Sequence, residues 1–346
     1  MSDSKLNSLL TKEMQDSAKF IHTLYLELLK PIRKKLDLVE IEIEKELKSD
    51  IEIISRMNDY IGKSKGKRIR PALFLLCSRL MGVKSDRDVL FATVMEFIHT
   101  ATLIHDDIID EAETRRGQKT VNAIWGNELT VLLGDLLYLK AVNLSLKEKN
   151  VDILGILTDI TIKMIEGEII QLSNRGTLHT SEKACMEIVH RKTAHLFEAC
   201  GRISAILADA PPEQKKAIAD YCRNLGIAFQ LVDDILDFVA DTNVLGKPVA
   251  NDLCEGNVTL PLVYALKEAN KEEHKKVQDI LEGSGPEKAD RKWVLSLLEK
   301  YGALDKTIKE AGIFADQATA ALTVFPDSDT KEILAELPTF VVARHF

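Results

Sequence analysis

Two acidic stretches of the same form, D-D-x-x-D, hold the side chains with the clearest potential for chemistry. One lies in the run LIHDDIID and the other in FQLVDDILDF. Neither run shows strand alternation or a turn signal, so both are predicted to be helical. In a helix, the first and last aspartates of each motif lie one turn apart on the same face: Asp106 with Asp110, and Asp233 with Asp237. Each segment therefore presents two carboxylates side by side from an otherwise apolar surface.

These paired carboxylates predict a metal site. Two adjacent carboxylates repel each other and are costly to bury unless a cation lies between them. A ligand set made only of oxygen favours a hard divalent cation, and a sparse one suits Mg²⁺ bridged to phosphate oxygens. A single aspartate pair on a helix is more often a solvated face, but two copies with apolar flanks favour the metal. A calcium EF-hand does not fit, because its D-x-D-x-D-G loop is absent.

A basic run before a predicted helix, SKGKRIRP, is a candidate anion site. Lys67 and Arg70 supply positive charge there. The N–H groups and the dipole of the helix that begins near Pro71 point toward a bound anion. The alternative for such a run is an ordinary solvated loop.

Three further cationic side chains lie close to the first acidic motif in the sequence. His99 precedes Asp106 by about two helical turns, and the spacing leaves open whether it binds an anion or is an ordinary core histidine. Arg115 and Arg116 follow the motif. Paired arginines near aspartates normally indicate a salt bridge, but beside a metal–phosphate site they suit bidentate oxyanion binding.

Helical periodicity runs through the whole chain, which predicts an all-α protein. We find no convincing strand, no short-period repeat and no Pro/Gly/Ser-rich linker, so we predict a single domain over residues 1–346. The predicted helical regions are 17–60, 87–113, 127–148, 150–172, 181–208, 213–240 and 272–346.

Composition narrows the class of protein. The chain has 46 Lys and Arg against 54 Asp and Glu, a net charge of −8, which argues against nucleic-acid binding. The N-terminus has no apolar signal region, and no run approaches about 20 apolar residues, so we expect neither a signal peptide nor a transmembrane span. The five cysteines lack C-x-x-C spacing and are predicted to be buried, reduced thiols of a cytoplasmic protein.

The chain resembles the trans-isoprenyl diphosphate synthases, also called polyprenyl synthetases, over roughly residues 60–262. The matching pieces are GKRIRP, EFIHTATLIHDDIID followed by RRG, GEIIQ, KTAHLF, GIAFQLVDDILDF, and GKPVANDL with EG and TLP after it. The resemblance implies a helical bundle around a deep central cavity, with the two acidic motifs facing each other at its mouth. It also implies a homodimer.

The same resemblance implies roles for individual residues. The ligands of about three Mg²⁺ ions would be Asp106, Asp110, Asp233 and Asp237, with Asp107 in support. The allylic diphosphate would be bound by Arg115, Lys192 and Lys247. Isopentenyl diphosphate would be bound by Lys67, Arg70, His99 and Arg116. Thr193 and Gln230 would steady the developing carbocation, and Phe229 would contact substrate.

The implied activity is Mg²⁺-dependent addition of isopentenyl diphosphate to an allylic diphosphate, with release of diphosphate. Ala101 and Thr102 lie about 6–8 Å below Asp106 along the helix and are small, which predicts a product of about six to ten isoprene units for quinone side chains. If Phe97 closed the cavity instead, the product would be of farnesyl or geranylgeranyl size. A terpene cyclase and a non-catalytic subunit are weaker alternatives, because both motifs and the isopentenyl diphosphate residues are intact.

Two departures from the family pattern concern the substrate sites. Lys65 stands where a glycine is usual, which we expect to alter the loop more than the chemistry. Asn257 stands where a lysine is frequent, so one cation of the allylic site would be missing.

Overall fold

The computed structural model of the protein is almost entirely helical, which confirms the all-α prediction. It describes residues 27–63, 66–115, 117–178, 180–239, 250–282 and 288–343.

The helices follow one another with short connections. In chain order they are α1 (Arg33–Leu47), α2 (Glu52–Lys63), α3 (Ile69–Leu80), α4 (Arg87–Ile109), α5 (Val121–Trp125), α6 (Asn127–Leu146), α7 (Val151–Ser173), α8 (Glu182–Ile188), α9 (His195–Leu207), α10 (Pro212–Val239), α11 (Asn251–Cys254), α12 (Leu260–Glu268), α13 (Lys271–Glu282), α14 (Lys288–Lys300), α15 (Ala303–Ala321) and α16 (Asp329–Ala343). A π-helical turn, Val189–Ala194, joins α8 to α9, and 3-10 turns span Lys30–Ile32 and Leu322–Val324.

One small strand pair corrects the prediction that the chain contains no strand. β1 (Thr114–Arg115) pairs antiparallel with β2 (Gln118–Lys119). Gly117 lies in the turn with φ of 74°, a conformation that glycine adopts without steric cost. Strands of two residues are too short to show an alternating pattern, so no sign of them is visible in the sequence.

The helix predicted for residues 87–113 is shorter in the structure, where α4 ends at Ile109. Glu111 has φ of 50°, which is incompatible with a right-handed helix. The N–H of Asp110 still donates to the carbonyl oxygen of Asp106 at 2.8 Å. The first acidic motif therefore keeps the predicted one-turn spacing although its last residue lies at the helix end.

The other predicted helical regions hold, with interruptions. The region 17–60 contains α1 and α2 with a break between them, and its residues 17–26 lie outside the described part of the chain. The region 181–208 consists of α8, the π turn and α9 in direct succession, and the region 272–346 contains α13 to α16. All five cysteines are free thiols, but Cys254 is half-buried, which corrects the prediction that all five are buried.

The two acidic motifs lie on two central helices, α4 and α10. α4 packs against α6 along its length and against α3 and α1 on other sides, while α10 packs against α9 and α15. The buried apolar side chains form one continuous cluster. Its largest fully buried members include Tyr221, whose hydroxyl donates to the carbonyl oxygen of Leu334 at 2.7 Å.

Two glycines let the π turn pack tightly between α7 and α10. A Cβ added at Gly226 of α10 would lie 2.9 Å from the Cα of Ala194 and from the Cβ of Phe197. A Cβ added at Gly167 of α7 would lie 2.8 Å from the Cβ of Arg191, the residue before Lys192. Both distances are too short for real side chains, so these glycines fix the position of the turn.

Among the described residues, α6 alone is long and apolar enough to cross a membrane, with a mean hydropathy of 1.5 over its most apolar stretch. That stretch is 39% buried inside the protein. A core helix of a soluble protein shows the same length and composition, so this feature is weak evidence for a membrane span.

We predict that Gly226→Ala destabilises the protein by about 1–3 kcal/mol, because the added methyl group forces α10 away from the π turn. The matched control is Gly312→Ala on α15, where an added Cβ meets no atom within 4 Å. That variant should be stabilised by up to about 1 kcal/mol, through helix propensity alone. Urea unfolding measures both, and equal effects would contradict the tight packing.

Candidate active site

A cavity of about 1360 Å³ lies between α4 and α10 and brings most of the predicted site residues together. Its lining includes Lys67, Arg70, His99, Ala101, Thr102, Asp106, Asp107, Asp110, Arg115, Lys192, Thr193, Phe229, Gln230 and Asp233. Two other predicted residues, Arg116 and Lys247, lie outside the described residues. Asp237 is described but is not part of the lining.

The first acidic wall is built around Asp106, with one lysine between two carboxylates. Lys192 Nζ lies 2.5 Å from Glu168 Oε2 and 3.8 Å from Asp106 Oδ2. Burial raises the pKa of Asp106 to about 6, and the charge of Glu168 adds to this shift while Lys192 opposes it. Burial also opposes the charge on Lys192, but the two carboxylates outweigh it and raise its pKa. The ammonium group of Lys192 is thus shared between two carboxylates.

The other two aspartates of the first motif each face an arginine. Arg115 Nε donates to Asp107 Oδ1 at 2.7 Å, so the β1–β2 hairpin is tied to the end of α4. Arg175, from the loop after α7, forms an ion pair with Asp110 and reaches Asn257 Oδ1 at 3.4 Å. Arg175 therefore brings a guanidinium group to Asn257, the position where the sequence departs from its family by lacking a lysine.

The second acidic wall is held by a chain of hydrogen bonds that begins in the π turn. The hydroxyl of Thr193 donates to Gln230 Oε1 at 2.6 Å, and Gln230 Nε2 donates to Asp234 Oδ1 at 2.8 Å. Burial raises the pKa of Asp234 to about 7, although the bond from Gln230 opposes the shift. The side-chain amide of Gln230 is thus oriented by the π turn on one side and by the second acidic wall on the other.

Asp237 is engaged at the start of α11. Its Oδ1 accepts from the backbone N–H of Asn251 and its Oδ2 accepts from that of Asp252, both at 3.1 Å. The metal role predicted for Asp237 stays a prediction. Burial, reinforced by the charges of Asp237 and Asp234, raises the pKa of Asp252, which lines the cavity.

The basic edge of the cavity is anchored by Arg68 rather than by the residues predicted to bind anions. Arg68 donates to both carboxylate oxygens of Glu40, at 2.6 and 3.0 Å, and to Glu96 at 2.5 Å. This anchor leaves Lys67 exposed at the cavity and Arg70 half-buried. The guanidinium of Arg70 lies 5.2 Å from the centre of the Phe197 ring, and burial lowers its pKa.

The deeper part of the cavity is apolar. It is lined by Ile98, Ala101, Ile104, Tyr138 and Met164. Ala101 is 3% exposed, and its methyl group leaves space beneath the first acidic wall. Phe97 is buried, but it does not belong to the lining, which passes through the adjacent Ile98 instead.

The residues present fit a divalent cation. At least five carboxylates line the cavity mouth: Asp106, Asp110, Glu168, Asp233 and Asp234. Burial raises the pKa of two of them, which means that their charges are incompletely compensated by the protein. Oxygen-only donors with excess negative charge favour a hard cation such as Mg²⁺ or Ca²⁺.

Sequence reasoning missed three residues of the site. Glu168 lies in the GEIIQ piece, where an acid within an apolar helix was a usable signal. Asp252 lies in the GKPVANDL piece and reaches the cavity from a short helix, whereas Arg175 gave no signal and contacts Asp110 from a loop. Their roles depend on tertiary contacts that no local pattern encodes.

Comparisons with known proteins match most of the chain to one family. The family model described as polyprenyl synthetase matches residues 51–298. The octaprenyl diphosphate synthase of Haemophilus influenzae is 40% identical over 301 residues, 87% of this chain and 91% of the relative. That of Escherichia coli is 39% identical, over 88% of this chain and 94% of the relative. The crystal structure of a polyprenyl synthase from Caulobacter crescentus, complexed with calcium and isoprenyl diphosphate, superposes with a TM-score of 0.89 at 35% identity, over 93% and 98% of the two chains.

We predict that Asp106→Asn stabilises the cation-free protein at pH 8 by on the order of 2 kcal/mol. Folding raises the pKa of Asp106 from 3.8 to about 6, so its ionised form opposes folding above pH 6. This penalty shrinks as the pH falls through 6 and is absent below about 3.8, where the two proteins should be equally stable.

Urea unfolding with chelator present, from pH 4 to pH 8, measures this difference. Asp279→Asn, at an exposed position on α13, is the control and should show no such pH dependence. A stability difference that grows as the pH falls would contradict the assignment.

Proposed function

Because the chain belongs to the polyprenyl synthetase family, we propose that it joins isopentenyl diphosphate to an allylic diphosphate, releases diphosphate and makes a long-chain trans-polyprenyl diphosphate. It is a prenyltransferase of the isoprenoid synthase fold. One observation carries the proposal: both acidic motifs, the π turn and the basic edge line a single cavity with an apolar depth.

The diphosphate end of the allylic substrate would lie between the acidic walls. We place three Mg²⁺ ions per site, with Asp106, Asp110 and Asp233 as ligands and Asp237 as a further candidate. These ions would neutralise the charge that develops on the leaving diphosphate. The cationic side chains of Lys192 and Arg115 already lie at this wall and would turn toward the oxygens of the substrate diphosphate.

The second diphosphate, that of isopentenyl diphosphate, would lie at the basic edge. Lys67 is exposed there, and Arg70 and His99 line the same part of the cavity. Arg68 stays bound to its two glutamates and holds the loop that presents Lys67. Arg116 and Lys247 keep their proposed roles from the sequence, as ligands of isopentenyl diphosphate and of the allylic diphosphate.

Reaction requires the allylic C–O bond to break and a new C–C bond to form with the double bond of isopentenyl diphosphate. The oxygens of Thr193 and Gln230, fixed by their mutual hydrogen bond, would face the positive carbon fragment. Phe229 lines this region. The apolar wall excludes water that would trap the cation, and the proton lost in the final step would go to the released diphosphate.

The length of the product would be set below Ala101. Because both Ala101 and Thr102 line the cavity with small side chains and Phe97 does not, the growing tail has a path past this level. This supports a product of about six to ten isoprene units over the farnesyl or geranylgeranyl alternative.

We predict that Ala101→Phe shortens the product to about three or four isoprene units, because the ring fills the cavity about 7 Å below Asp106. The rate of the first condensation should change little. The measurement is product chromatography after incubation of purified protein with labelled isopentenyl diphosphate, an allylic primer and Mg²⁺.

Ala320→Phe, at an exposed position on α15, is the matched control and should leave the product length unchanged. A wild-type product of only three units would overturn the long-chain assignment. Failure of the purified protein to consume isopentenyl diphosphate would favour a non-catalytic subunit, and a cyclic hydrocarbon product would favour a terpene cyclase.

We also propose a cytoplasmic homodimer of a single-domain chain. Exposed apolar side chains on α6 and α7, including Leu132, Leu139, Ile162 and Ile169, are 57–63% exposed and offer a surface that a second copy would cover. The continuous core supports a single domain. A mass of one chain by light scattering of the active enzyme would contradict the dimer.

A further inference from the structure

A second cluster of metal-ligating side chains lies outside the cavity, at the junction of the π turn and α9. His190, His195 and Glu198 each offer one ligand atom, and these atoms all lie within 4.8 Å of one another. The two imidazole rings are 4.4 Å apart between centroids. We propose that these three side chains bind one divalent transition-metal ion, of the Zn²⁺ type, at a site separate from the Mg²⁺ site.

The ligand atoms of the three side chains converge but do not hydrogen-bond to one another. His195 Nδ1 and Glu198 Oε2 are 3.6 Å apart, which is too long for a hydrogen bond but short enough for two ligands of one ion. His190 Nε2 is buried and has no hydrogen-bond partner among the described residues. A buried nitrogen left in this state is unfavourable, and coordination to a metal would satisfy it.

The chemistry of the three ligands favours a transition-metal ion over Mg²⁺. Two imidazoles and one carboxylate suit Zn²⁺ and similar divalent transition-metal ions, with the remaining coordination positions open to water. Mg²⁺ prefers oxygen ligands, so it should select the aspartates of the cavity instead. The side chains of His195 and Glu198 are 12% and 15% exposed, which shields the site but leaves a route for an ion.

Two neighbouring arginines carry positive charges that would oppose a bound cation. Arg202 Nη1 lies 3.8 Å from Glu198 Oε1, the oxygen that does not face His195, and 3.9 Å from Asp159 Oδ2. Arg223 donates to Asp220 at 2.6 Å. Each arginine therefore has a carboxylate partner outside the cluster, and Glu198 Oε2 remains directed at the two histidines.

The position of the cluster gives the site a structural consequence. His190 belongs to the π turn, whose next residues, Lys192 and Thr193, enter the cavity. His195 and Glu198 belong to α9. A bound ion would link the turn to α9 from the side away from the substrate and would hold the π-helical geometry that places Lys192 and Thr193.

Zn²⁺ itself is the probe, measured by equilibrium dialysis at pH 7.5 with a large excess of Mg²⁺ to occupy the aspartates. An unperturbed imidazole is largely neutral at this pH and can bind metal. The wild-type protein should retain one Zn²⁺ per chain, and His190→Asn and His195→Gln should retain none. His274→Asn, a histidine on α13 outside the cluster, and the double variant Asp106→Asn/Asp233→Asn should still retain one.

Co²⁺ provides a test that needs no variant and so does not depend on their folding. Co²⁺ bound by histidine nitrogen in a site of low coordination number absorbs visible light strongly, whereas six-coordinate Co²⁺ with oxygen ligands absorbs weakly. A strong visible band in the wild-type protein, displaced by Zn²⁺ and not by Mg²⁺, is the expected result. The absence of Zn²⁺ retention and of this band, or Zn²⁺ retention unchanged in a folded His195→Gln protein, would overturn the proposal.

Discussion

The structure depends on the burial of carboxylates that the protein does not fully neutralise. Lys192 is shared between Asp106 and Glu168, and Asp234 accepts a hydrogen bond from the side-chain amide of Gln230. Burial raises the pKa of both aspartates. Such an arrangement opposes folding unless a cation and an anionic ligand complete it. The same uncompensated negative charge gives the cavity its affinity for Mg²⁺ and, through Mg²⁺, for diphosphate.

Helix packing imposes this burial. Gly167 and Gly226 let the π turn sit directly against α7 and α10, so that Lys192 reaches one wall and Thr193 reaches the other. A regular α-helix through this region would rotate one of the two side chains away from the cavity, because a π turn inserts one residue into the helical register. The turn thus couples the two acidic walls through adjacent residues of one segment.

Much of this organisation could be predicted from the sequence. The one-turn spacing of Asp106 and Asp110 follows from helical periodicity alone, and the structure keeps it although α4 ends earlier than predicted. The all-α fold and the family followed from motifs that are local in the chain. Periodicity could not reveal the π turn, because such a turn keeps helical hydrogen bonding and adds only one residue to the helical register.

Other features depend on contacts between distant segments. Arg175 and Asn257 meet only through the fold, and the cap that Asp237 forms on α11 joins residues 14 positions apart in the chain. Arg68, which the sequence presents as one more cation of a basic run, is instead held by Glu40 and Glu96. The sequence shows which residue types are present, whereas their pairing is decided by packing.

The central claim is that the two acidic motifs form one Mg²⁺–diphosphate site. A double-mutant cycle on Asp106→Asn and Asp233→Asn tests it most directly, with binding of inorganic diphosphate in Mg²⁺ measured by calorimetry. The account predicts that each single variant weakens binding by roughly tenfold or more, and that the double variant is only slightly weaker, with a coupling free energy on the order of 1–3 kcal/mol. Fully additive effects, or unchanged binding in either single variant, would contradict a shared site.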